Sequence, residues 1–346
     1  MSRTTKPTVT FIQQKGPVDE YGRALYAISR SVLRALIDSL SNEDLTDFNT
    51  PIEDVTLRQL AKIARVDLDK GMRGDGFEWA VHEALLGSEP TVCEMVYRAM
   101  KRAAPKLRDE APTSLMFGQE RAKYLGFMDA TIDQAGGDEA LLLPTGSGRP
   151  FRFANYIPTA AQGFRAEDHL PDRIKKVWKT DLFLSTEDDS RHLAATVKSN
   201  FGLLEGGNGL RVAIVPESTH PSNQSGVYFD QKSKLWVASL ADPNGFMGLF
   251  NDGYHAVMRA LCSIGKQPKP PYFVKPSAKA QKVQDQLEKF AGAEVLEVEA
   301  ALDEAAQQNL VGVEKALVGV NAPNWLRMKT LAPKIISPKP SFVRLD

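Results

Sequence analysis

Apolar residues recur every three to four positions from Glu20 to about Leu40 (Leu25, Ile28, Val32, Leu33, Leu36, Ile37, Leu40), which predicts an amphipathic helix. A second helix is predicted over Thr56–Ala64, with Thr56 as its N-cap. In the third, Phe77 to about Leu86, the residues Phe77, Val81, Ala84 and Leu85 share one stripe, and Gly87 ends it. Glu78 and His82 lie along the border of that stripe, and Lys70–Gly76 reads as a flexible lead-in. Helices are also predicted near 90–103 and 118–135. Between about 140 and 240 the pattern changes to short apolar runs, Leu141–Leu143, Leu210–Val215 and Leu235–Leu240, which read as strands. A long helix follows from Phe246 to about Ile264. Pro268, Pro270 and Pro271 mark a linker, and helices over Ala278–Phe290 and Val295–Gln308 precede a proline-rich tail. The expected class is α/β: a helical N-terminal half, a mixed sheet, and helices closing the C-terminal side.

Within the sheet region one hairpin stands out. Asp181–Ser185 is apolar and strand-like, Thr186–His192 is polar and turn-forming, and Leu193–Lys198 reads as a strand again. Folding symmetrically about the Asp189–Ser190 bond sets Asp181 across from Lys198, Leu182 from Val197 and Phe183 from Thr196. Opposed residues project from one face with Cβ atoms about 5 Å apart, so a carboxylate and an ammonium meet at the open end. Leu182 and Val197 point to the other face. Glu187, Asp188 and Asp189 sit at the tip, about 25–30 Å away along an extended strand, and read as a solvated turn.

Composition narrows the function classes. Hydrophobic residues make up 42% and charged residues 25%, as in ordinary globular chains. The 43 Lys plus Arg balance 43 Asp plus Glu, so a polyanion would need a local basic patch. Arg173, Lys175, Lys176 and Lys179 form such a run just before Asp181. Cys93 and Cys262 are too few for a disulfide framework or a cysteine-rich zinc site, and a reducing cytoplasm is expected. The N-terminus lacks a signal peptide's apolar core, and no apolar run approaches membrane-spanning length, so no membrane partner is expected. The five histidines (His82, His169, His192, His220, His255) show no zinc spacing; His82 alone is placed to approach the hairpin. Thr145–Pro150 lacks the lysine and spacing of a phosphate-binding loop. The first two helices present no evident basic recognition face, which argues against a helix-turn-helix reader.

Phe77-Glu78 on a glycine-preceded helix, Lys179-Thr-Asp181, and Ala195-Thr-Val-Lys198-Ser together resemble the PD-(D/E)xK, or restriction-endonuclease-like, nuclease superfamily. The resemblance covers three short motifs over about 120 residues. It implies a restriction-endonuclease-like mixed sheet flanked by helices. It also implies a catalytic set of Glu78, Asp181 and Lys198, and magnesium (or manganese in its place) held by Glu78, Asp181 and the Val197 carbonyl. Thr196 departs from the pattern by standing where the family's second acid is usual. The implied activity is hydrolysis of phosphodiester bonds in nucleic acid, DNA in preference to RNA, by a homodimer or a subunit of a larger complex. A prokaryotic restriction or antiphage system is the implied setting. Lys175, Lys176, Lys179, Ser199 and Asn200 are the expected nucleic-acid contacts. The expected division is an N-terminal helical region over 1–69, the nuclease core over 70–265, and a C-terminal helical segment and tail over 266–346. The alternatives are a catalytically inactive subunit of the same fold that binds nucleic acid or scaffolds a complex, and an unrelated interaction protein.

Overall fold

A computed structural model describes residues 9, 20–40, 49–63, 71–118, 125–146, 148–162, 172, 175, 177–187, 189–219, 226–241, 245–269 and 272–307. The chain divides into two compact units. One comprises Met1–Ala80 with Met247–Val311, the other Val81–Phe246 with Gly312–Asp346.

The first unit is helical. Its described elements are α1 (Glu20–Asp38), α2 (Leu57–Ile63), the first part of α3 (Gly71–Leu86), and, from the later segment, α7 (Phe246–Gly265), α8 (Ala278–Lys289) and α9 (Val295–Gln307). Thr56 starts α2 as a capping box: its hydroxyl accepts the Gln59 N–H at 3.3 Å, and the Gln59 side chain accepts the Thr56 N–H at 2.9 Å. The expected solvent face of α1 is absent, because its arginines are also buried. Arg30 and Arg34 each lie 3.3 Å from the Glu299 carboxylate on α9, and Arg34 also reaches Asp38 at 3.2 Å. Paired charge covers the side that periodicity assigns to water. Residues 71–76 are helical too, correcting the flexible lead-in. Each glycine costs a helix about 1 kcal/mol, but Met72, Phe77 and Trp79 are buried and Phe77 packs edge-on to Phe250 at 5.2 Å. Gly253 on α7 permits close approach to α1; a Cβ there would stand 2.6 Å from Ile28 Cγ2.

The second unit holds the sheet, with the end of α3, α4 (Pro90–Ala103), α5 (Leu125–Gln134) and α6 (Phe153–Gln162). The strands are β1 (Pro112–Met116), β2 (Leu141–Leu143), β3 (Phe151–Arg152), β4 (Leu182–Thr186), β5 (Arg191–Val197), β6 (Leu210–Pro216), β7 (Gly226–Asp230) and β8 (Leu235–Leu240). They form one eight-stranded mixed sheet in the order β1-β4-β5-β6-β8-β7, with β2 also pairing β5 and β3 pairing β2. β5, β6 and β8 run parallel; β4 is antiparallel to both β1 and β5. β2 lines Arg191–Leu193, and β6 continues the same strand's pairing along Ala194–Val197, so β5 is flanked along its length.

Alternation sorts the sheet into two faces. Phe183, Ala194, Ala213 and Val237 join Phe153, Ile157 and Met128 in a core beneath α5 and α6. Leu182, Ala195, Val212 and Trp236 are register partners pointing the other way. On that side Arg102 of α4 stacks over Trp236 at 5.9 Å. The chain is therefore an α/β protein built on an open mixed sheet. No described helix is long and apolar enough to cross a membrane.

Candidate active site

The predicted hairpin exists with a register two residues away from the symmetric expectation. Leu182 pairs with Ala195, Phe183 with Ala194 and Leu184 with Leu193; Asp181, just before the strand, lies beside Thr196, whose hydroxyl it accepts, instead of standing as the register partner of Lys198. The cause lies at the tip. Asp189 Oδ1 accepts the Arg191 backbone N–H at 3.0 Å and its Nε–H at 2.8 Å, while Oδ2 takes Nη2 at 2.6 Å. This clamp starts the second strand at Arg191, two residues earlier than its apolar run suggests. Asp189 is thus no solvated turn residue, its side chain being only 5% exposed. Burial pushes its carboxyl up, but hydrogen bonds from Arg191 and the guanidinium charge outweigh that and hold it below the usual carboxylate range. Asp188 lies outside the described residues.

Side chains alternate with period two, so a slip of two residues preserves the face. Asp181 and Lys198 still meet, and Thr196 joins them. Asp181 Oδ2 accepts three hydrogen bonds: the Thr196 hydroxyl at 2.9 Å, the Val197 backbone N–H at 2.7 Å, and the Lys198 ammonium at 2.9 Å. Asp181 Oδ1 has no partner among the described residues. The Asp181 side chain is 9% exposed and that of Lys198 29%, so the pair opens outward rather than being sealed in the core. The backbone anchors it from both sides: Asp181 N–H donates to Ala195 O at 2.9 Å, and Lys198 N–H to Ile214 O at 3.0 Å. Lys198 directly follows β5, at the carboxyl end of the parallel strands, where ligands of open α/β sheets characteristically bind.

The loop from Lys198 to Gly209 frames this mouth. Asn200 accepts the Gly202 N–H at 2.8 Å and caps a short 3₁₀ turn, Phe201–Leu203, while Phe201 N–H donates to Thr219 Oγ1 at 2.9 Å. The Asn200 side-chain oxygen is thus committed to the loop itself. Gly206 is required by packing, since a Cβ there would fall 2.2 Å from the Ser233 carbonyl oxygen. The adjacent Glu205 pairs with Lys179, so this expected nucleic-acid contact meets a carboxylate within the unit. Ser199 and Lys175 are half-buried, and Lys176 and Arg173 lie outside the described residues.

His82 does not approach the mouth. Its Nδ1 lies 2.7 Å from Ser114 Oγ, and both residues are buried. Ser114 pairs with Leu184, on the sheet face opposite Thr196, which makes His82 a core residue. His169 and His220 lie outside the described residues. His192 is buried; Nε2–H donates to Ala135 O at 3.1 Å, and burial lowers its pKa. Glu78 is half-buried on α3 in the first unit.

Sequence reasoning treats Thr196 only as a missing acid, whereas the structure makes it a donor that orients Asp181. Val197 enters through its N–H, a role backbone groups do not advertise in sequence. Among the described residues, no three His, Cys, Asp or Glu side chains are grouped to hold a metal ion. In comparisons with family models, curated proteins and solved structures, nothing matches the chain.

Proposed function

We propose that the chain is a magnesium-dependent nuclease with a restriction-endonuclease-like core, acting on DNA in preference to RNA, with Asp181 and Lys198 as its catalytic pair. The observation that carries this reading is the asymmetry of Asp181. Three donors grip one carboxylate oxygen, which fixes the group, and the other oxygen, at the rim of the sheet, has no partner among the described residues.

The donor set fits a hard dication. Magnesium prefers oxygen, keeps several of its waters and commonly binds through only one or two carboxylates, so Asp181 Oδ1 with water suits it. When bound, such an ion neutralises charge on the phosphate and lowers the pKa of its water. Asp181 would hold the ion. Thr196 and the Val197 amide keep the carboxylate from rotating, and Lys198 carries a fixed positive charge to the place where a phosphate oxyanion develops. The resemblance assigns a second acid to Glu78, but the reading rests on the residues of the second unit alone.

A second reading, a catalytically inactive subunit that binds nucleic acid, is favoured by one observation: a Thr196 hydroxyl bonded to Asp181 stands in place of the second acid. One experiment separates the two. Plasmid and end-labelled oligonucleotides are incubated with the full chain and magnesium or manganese. The nuclease reading expects cleavage that stops with chelator, with Asp181→Ala and with Lys198→Ala. Cleavage that survives Lys198→Ala overturns it, and binding without cleavage selects the inactive subunit.

A further inference from the structure

In the first unit, the 32 residues from Gly253 to Gln284 contain no acid, although Asp and Glu make up 43 of the chain's 346 residues. Lys266, Lys269, Lys275, Lys279 and Lys282 fall in this stretch, and all five are exposed. Its described part is fixed in place rather than loose. Phe273 is buried against Tyr254 and His255, at ring distances of 6.1 and 6.2 Å, and its carbonyl accepts Arg259 Nη1–H at 2.8 Å. Four residues on, Ser277 N–H donates to Asp252 Oδ1 at 2.6 Å. Asp252 Oδ2 accepts the Tyr21 hydroxyl at 2.7 Å and the Ser277 hydroxyl, so the acid that anchors the segment is engaged at both oxygens.

With Phe273 turned inward, its neighbours turn out: Tyr272 is 42% and Val274 56% exposed. Lysines on a pinned backbone beside an exposed aromatic ring match what single-stranded nucleic acid offers, a line of phosphates and unstacked bases. A bilayer surface fits less well. The apolar positions of α8 (Ala280, Val283, Leu287) are buried within the unit and leave no face to insert. We propose that the exposed Lys266, Lys269, Lys275 and Lys282, with Tyr272 as their stacking platform, bind single-stranded nucleic acid.

This surface is independent of the Asp181 site, so it is tested with the full chain in EDTA, where cleavage plays no part. Anisotropy of a fluorescein-labelled 20-mer of thymidylate is read across a salt series. Each lysine–phosphate contact adds about 0.7 to the slope of log affinity against log salt for single strands. Replacing Lys266, Lys269, Lys275 and Lys282 together by Gln is expected to lower that slope by about 3. Tyr272→Ala is expected to weaken single-strand binding about 5- to 150-fold and to leave binding of a duplex unchanged. Circular dichroism and melting confirm folding of both variants. Unchanged affinity and slope in the lysine variant overturn the proposal. So does a chain that ignores the oligonucleotide but sediments with phosphatidylserine vesicles in a lysine-dependent way. A chain that binds and never cuts retains this surface and refutes the nuclease.

Discussion

The two ends of one hairpin carry the same chemistry to different ends. At the tip, Asp189 gives both oxygens to Arg191, and nothing remains for a ligand. At the mouth, Asp181 gathers Thr196, Val197 and Lys198 on a single oxygen. A bidentate guanidinium saturates a carboxylate and makes a structural clamp. An ammonium, a hydroxyl and an amide converging on one oxygen orient the carboxylate and, among the described residues, leave its other oxygen without a partner. Saturation, not the presence of an ion pair, separates the structural site from the candidate catalytic one.

The largest expected effect breaks the mouth. Lys198→Met retains the stem and removes the charge; single-turnover cleavage of a labelled oligonucleotide should fall by about 100- to 1000-fold, with stability lowered by about 1–2 kcal/mol as the buried Asp181 loses its charged donor. Breaking the tip should cost stability alone. Asp189→Ala removes the carboxylate from Arg191, leaving it, among the described residues, only the Lys106 carbonyl, and should destabilise the fold by about 2 kcal/mol, seen in thermal melting, with cleavage per folded molecule retained.

A smaller effect concerns acid. Burial above all, then Arg73, pulls His255 down to about 4, with Asp252 opposing and Arg259 adding to the fall. An unfolded histidine titrates near 6.5, so between about 6.5 and 4 the unfolded chain binds the extra proton. Stability is therefore fully present above about pH 6.5 and declines as the pH drops towards 4. His192, lowered mainly by burial, acts in the same direction in the second unit. His255→Gln should flatten the melting temperature measured from pH 7 to 4.5. The smallest change sharpens the comparison: Thr196→Val removes one of the three donors while keeping the shape. It should lower stability by about 1 kcal/mol and slow cleavage less than Lys198→Met does.

Much of the mouth was legible because a strand's period is short. Asp181 and Lys198 share a face under either register, so the two-residue slip left their meeting intact. The slip itself was hidden. It depends on Asp189 closing on Arg191, and three consecutive acidic positions read more simply as a solvated turn. β1 and β7 carry no clear apolar signal because they bury little on their own: Thr113, Leu115 and Met116 are half-exposed, as is most of β7. Their strand character comes from pairing with β4 and β8. The helices over Pro90–Ala103, Ala278–Lys289 and Val295–Gln307 follow the apolar period closely. The pairing of buried Arg30 and Arg34 with Glu299, across more than 260 residues of sequence, has no local signal.

The most direct test of the Asp181 carboxylate is manganese binding followed by electron paramagnetic resonance. The full chain should take up the ion, Asp181→Ala should lose it, and Thr196→Val should keep it with weaker affinity. Equal uptake by the parent and Asp181→Ala, or none by the parent, would contradict the assignment of Asp181 Oδ1 as a metal-facing oxygen.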